Sequence, residues 1–202
     1  MNSNRFKLAA VLSVGVVCIS QSAFAHPGHG VSGFAGGFAH PLLGADHVLA
    51  MLAVGIWAAQ LGGGALWMVP CAFVGLMAGG GALGMASAHS FPIVESGIAV
   101  SVLVLGLMIA MAVKAPLYVS VPLVGLFAMF HGYAHGTELS EGMSAAGYSV
   151  GFMFATAALH AAGIGMGLAA KRALSAPSSS WVFRTAGAAI MLAGVALMIK
   201  AQ

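Results

Sequence analysis

Beyond residue 30 the chain alternates long apolar runs with short interruptions marked by glycine, proline or charge. The apolar runs cover 31–61, 65–86, 94–113, 117–133, 145–170 and 181–199, each close to or above the roughly 20 residues that carry a helix across a bilayer core. Backbone groups in hydrocarbon must pair within their own segment, so runs of this length predict helices. The interruptions are Gly62-Gly63-Gly64, a stretch holding Pro92, Lys114 to Pro116, a polar stretch over 134–144, and 171–180 with Pro177 and three consecutive serines. The expectation is an all-α, polytopic membrane protein of six transmembrane helices with no room for a soluble domain. The first run exceeds one span and contains Pro41 and Gly44. Proline removes a backbone donor and glycine loosens the chain, so the first helix is expected to break at Pro41–Gly44 and resume toward Trp57.

Ahead of these runs, Arg5 and Lys7 precede an apolar segment over 8–19, and Ala23-Phe24-Ala25 supplies the small residues a signal peptidase prefers. This predicts a cleavable signal peptide over 1–25 and a six-helix transmembrane domain over 26–202. The mature chain would open with His26 and His29, read as a flexible polar tail. Cys18 falls in the signal and Cys71 in an apolar run, which leaves one thiol and no disulfide.

Composition sharpens the membrane reading: 60% of residues are hydrophobic and 5% charged, against about 25% charged in soluble domains. Seven basic and four acidic residues give a net charge of +3, too little to build a nucleic-acid surface. The 29 glycines suit closely packed spans. With the N-terminus exported, Lys114, Lys171, Arg172 and nearby Arg184 fall on the cytoplasmic side, as lysine and arginine should. Glu95, Glu138 and Glu141 then face outward, with Lys200 as the exception.

Against so little charge, two clusters stand out. His40-Pro41-Leu42-Leu43-Gly44-Ala45-Asp46-His47 places the only aspartate and two imidazoles inside a span. Aspartate at a helix centre costs roughly 2.5 to 3.5 kcal/mol on insertion scales and so demands a partner or a function. The second cluster is His131, His135 and Glu138, spaced to share one helical face. With Glu95, the candidate metal ligands are His40, Asp46, His47, Glu95, His131, His135 and Glu138. Imidazole with carboxylate suits nickel, cobalt and zinc, whereas magnesium and calcium want oxygen shells. The 13 methionines read as packing, including Met51 on the face of His47. His160 reads as a structural histidine bonded to backbone or hydroxyl, and His89 as solvated. Three spans in each half would invert the halves, making the 40–47 and 131–138 segments counterparts.

His40-Pro-Leu-Leu-Gly-Ala-Asp46-His47 with Val54-Gly55-Ile56-Trp57-Ala58, Val94-Glu95-Ser96-Gly97-Ile98-Ala99 and Phe130-His131-Gly132-Tyr133-Ala134-His135-Gly136-Thr137-Glu138 closely resemble the HupE/UreJ family of nickel permeases. The resemblance covers essentially the whole mature chain. It implies a six-span bacterial inner-membrane permease importing nickel or cobalt for hydrogenase or urease maturation, and the signal and loop charges would then place both mature termini in the periplasm. On matching positions it implies functional roles for His40, Asp46, His47, Glu95, His135 and Glu138, with Phe73 as a pathway aromatic; in such a permease the first cluster is expected to act as the selectivity site and Glu95, His135 and Glu138 to capture the ion at the outer mouth. The metal is then substrate, and no cofactor is implied. Partners are lipid and the ion. No Walker-type loop calls for ATP and no ATPase subunit is evident, while a homo-oligomer is left open. The rival reading is a metal-dependent intramembrane hydrolase on the same ligands, or one using Gly147-Tyr148-Ser149-Val150-Gly151 with His160. That motif needs a strand-to-helix elbow, and a Gly147/Gly151 packing pair accounts for it more simply.

Overall fold

A computed structural model describes residues 33–87, 89–139 and 144–200; the expected signal peptide, His26, His29 and Glu141 lie outside them. The described residues form α1 (Phe34–Leu43), α2 (Ala45–Leu61), α3 (Ala65–Ser87), α4 (Pro92–Ala110), α5 (Leu117–Thr137), α6 (Ala145–Ala173) and α7 (Ala176–Lys200), with no strand among them. Helices α3 to α7 are each long and apolar enough to cross a membrane, and α1 with α2 passes the same test as a pair bent by 85°.

The break falls at Gly44 alone. Pro41 stays inside α1, buried, and the chain turns only where Gly44 adopts φ −91° and ψ 118°. That backbone is open to any residue, so the requirement is for space: a Cβ at Gly44 would come within 2.7 Å of both Asp46 Oδ1 and His47 Nδ1. Two expected loops also prove partly helical. Helix α5 runs on to Thr137 and so carries His135, while α6 and α7 take up nearly all of 171–180. Pro177 sits in the first turn of α7, where a missing N–H leaves nothing unpaired.

Helix α2 is the hub. Thirteen of its seventeen residues are buried, as expected of a helix that is apolar on every side. It packs chiefly on α6, α3 packs on α5, and α4 on α7. Glycine permits the closest approaches: a Cβ on Gly132 of α5 would overlap the Met77 carbonyl of α3. A Cβ on Gly151 would overlap the Phe34 carbonyl, which makes it a packing residue between α6 and α1. Ser149 lies inside α6, so the G-x-S-x-G segment forms no elbow.

The short connections turn the chain end for end and sort its charge. At one end Lys171 Nζ donates to the carbonyls of Ala59 and Gln60 at 2.6 and 3.2 Å, capping the C-terminus of α2. Trp57 Nε1 donates to the Val113 carbonyl at 3.1 Å, bringing the Lys114 connection to the same end. Exposed Trp67, Tyr118 and Trp181 stand near the starts of α3, α5 and α7 at that end, in the manner of an interfacial aromatic belt. Asp46, Glu95 and Glu138 lie at the opposite end. Exposed leucine, isoleucine, valine and phenylalanine cover much of the outer surface, and the whole fits a multi-pass membrane protein.

Candidate metal centre

Asp46 is the second residue of α2, where the helix N-terminus favours a negative charge. Its Oδ1 accepts from the His47 backbone N–H at 2.9 Å and from His47 Nδ1 at 2.7 Å. Accepting from Nδ1 leaves Nε2 of His47 as the lone-pair atom, the tautomer in which a carboxylate presents imidazole to a metal. The last turn of α5 repeats the device, with His135 Nδ1 3.2 Å from Glu138 Oε2. His131 does the same with a backbone group, donating from Nδ1 to the Phe127 carbonyl at 2.9 Å.

The two carboxylate–histidine pairs meet head on, for His47 Nε2 and His135 Nε2 are in direct contact. With Nδ1 of each ring facing a carboxylate oxygen, the two Nε2 atoms are turned toward each other, an arrangement that can share a proton or a cation. His40 reaches over from α1, its ring centroid 4.6 Å from that of His135 and 5.9 Å from that of His47. His40, His135 and Glu138 each offer one ligand atom, all within 4.8 Å of one another. His131 lies beneath, 5.3 Å from His47, fully buried, its Nε2 without a partner among the described residues.

Six of the seven expected ligands thus converge from α1, α2 and α5, whereas Glu95 is exposed in the first turn of α4 and stands outside the tight group. His135 and Glu138, expected in a separate capture group, share a ligand group with His40 of the first cluster. The counterpart reading of the two segments also fails. Residues 40–47 straddle the start of α2 while residues 131–138 close α5, so they meet at one end of the molecule instead of being related by inversion. Glu138 leads outward, its side chain 56% exposed.

Helix α6 contributes a wall of residues that are not among the expected ligands. Phe152 lies 4.6 Å from His135, and Tyr148 lies 5.9 Å from His40. Tyr148, Phe152, Thr156 and His160 recur at every fourth position and are all buried, a spacing that could have marked them as one line. An apolar cavity of about 190 Å³ between α3, α5 and α6 reaches His135, Tyr148 and Phe152. His160 departs from expectation, since neither of its ring nitrogens has a hydrogen-bond partner among the described residues.

The model of the family described as HupE / UreJ protein matches residues 13–197. The chain belongs to the HupE/UreJ family. Within the HupE/UreJ family, Protein HupE of Rhizobium leguminosarum bv. viciae is 46% identical over 187 residues, covering 93% of this chain and 95% of that protein. No solved structure matches the chain.

Proposed function

We propose that this HupE/UreJ chain is a secondary permease that imports a divalent transition metal ion, nickel foremost and cobalt second, through the bacterial inner membrane for metalloenzyme maturation. The bent α1–α2 pair serves as the first of six spans after a cleaved signal peptide, with both mature termini periplasmic and the basic end cytoplasmic. The observation that carries the reading is the meeting of the Asp46–His47 and Glu138–His135 pairs, Nε2 to Nε2, beside His40. Neutral imidazole nitrogens backed by carboxylates are donors for borderline divalent metals.

The ion is captured at exposed Glu138, with Glu95 adding negative charge at the same face. It then parts the two Nε2 atoms, because metal–nitrogen bonds of about 2.0–2.1 Å each need more room than rings in contact allow. Asp46 offsets part of the dehydration cost at a buried site. An inside-negative potential supplies the pull, about 4.6 kcal/mol per 100 mV for a divalent cation.

The test is uptake of radiolabelled nickel by proteoliposomes holding the purified chain, with cobalt and zinc as competitors. The permease reading predicts potential-driven accumulation that cobalt inhibits. Metal-stimulated turnover without flux would instead favour the membrane-enzyme reading.

A further inference from the structure

We propose that His160 is a second, inner metal station, separated from the carboxylate–histidine centre by the ring of Phe73; this rests on the permease reading above. His160 lies near the middle of the 29-residue α6 and is 1% exposed. A neutral imidazole carries one donor and one acceptor, and buried polar atoms are nearly always paired. Here both nitrogens lack a partner among the described residues. Leucine or phenylalanine would fill such a site without that cost, so packing does not account for a histidine.

Its surroundings are those of a continuing path. Ring centroids step from His47 to His131 by 5.3 Å, from His131 to Phe73 by 5.5 Å and from Phe73 to His160 by 5.0 Å. The imidazoles on both sides of Phe73 are the ones with unpaired nitrogens, Nε2 of His131 and both atoms of His160. One turn toward the outer centre, the buried Thr156 hydroxyl donates to Met77 Sδ at 3.8 Å, so further ligand atoms border the same line. The backbone at His160 is fixed against the hub helix, because Gly55 and Gly163 let α2 and α6 touch there and a Cβ on Gly55 would overlap the His160 carbonyl. A backbone anchored this firmly fixes the point from which the His160 ring reaches toward Phe73. Since α6 runs from the acidic end to the basic end, His160 lies deeper than Tyr148 and Phe152. An ion leaving His131 passes Phe73 when that ring turns aside, and His160 replaces the ligands given up. Conduction of this kind wants several sites, each weak enough to release.

The experiment compares wild type, His160→Leu, His160→Cys and His47→Gln, all full-length, purified and reconstituted at matched amounts, with nickel as the probe. Equilibrium nickel binding and initial uptake are both measured. His160→Leu should bind nickel at the outer centre within roughly threefold of wild type while its uptake falls about tenfold or more. His160→Cys should recover a substantial part of the uptake, because thiolate is also a metal ligand. His47→Gln should lose binding and uptake together. The inference is overturned if His160→Leu transports at near wild-type rate, if it loses binding and uptake together, or if His160→Cys is no better than His160→Leu. A wild-type chain that moves no nickel would remove the permease reading and the inner station with it. That failure is distinct from a transporting wild type whose leucine variant is unimpaired.

Discussion

Gly44 concentrates several demands in one missing methyl group. Its backbone suits any residue, yet a Cβ would crowd the atoms that hold Asp46 to His47, 2.7 Å from each. Gly44→Ala is therefore expected to leave abundance in the membrane near normal while uptake falls about tenfold or more through misplacement of His47. Uptake close to wild type would show that the Asp46–His47 geometry is not needed. Protons compete with metal for the same Nε2 atoms. Metal binding displaces those protons, so initial uptake at low nickel should decline as external pH is lowered from about 7.5 to about 5.5. A flat profile would argue against a rate-limiting histidine site. The clustered histidines and acids were legible in the sequence because charge is so scarce that any cluster within a span stands out. Tyr148 and Phe152 were legible only through their four-residue spacing with Thr156 and His160, since a single aromatic in an apolar run looks the same whether it walls a site or meets lipid; Phe154, two positions on from Phe152, is 61% exposed.

Helix α1 shows how an element positions a ligand through its packing face. Gly37 sits where a Cβ would overlap the Tyr148 carbonyl of α6, while Phe34, Phe38 and Leu42 form an exposed apolar line. Gly37→Leu should push α1 off α6 and carry His40 away from His135 and Glu138. Nickel affinity is expected to fall about 10- to 100-fold, with thermal unfolding of the purified protein lowered only modestly because α2 to α7 keep their mutual contacts. Unchanged affinity would remove His40 from the ligand set. Gly132→Ala should behave differently, since it forces α3 and α5 apart along their main contact. Overpacking of that kind costs about 1 to 3 kcal/mol, read as reduced abundance and melting temperature. The helices themselves were legible from run length, but their ends were not. A hydropathy run stops at the last apolar residue, whereas α5, α6 and α7 continue through polar residues. The break in the first span was foreseeable from Pro41 and Gly44 together, and its placement at Gly44 depended on side chains two and three positions away.

Taken together, successive spans alternate in direction, with α2 packed parallel to α6, α3 parallel to α5 and α4 antiparallel to α7, and they gather Asp46, Glu95 and Glu138 at one end and Lys114, Lys171 and Arg172 at the other. With Cys71 replaced, a cysteine introduced at Glu138 should react with an impermeant thiol reagent in intact cells, and one at Ser175 only after the membrane is opened. The reverse pattern would invert the proposed orientation. The pairing of the two carboxylate–histidine devices was beyond the reach of the sequence, because 88 residues separate His47 from His135 and nothing local says that their Nε2 atoms meet. The most direct test of that pairing as a metal path is nickel uptake by Asp46→Asn. Asparagine keeps the size and can still accept from His47, but it removes the charge that offsets ion dehydration at the buried centre. Normal amounts of protein in the membrane with nearly all uptake lost is the predicted result; Asp46→Asn protein at normal abundance that transports nickel like the wild type would contradict it.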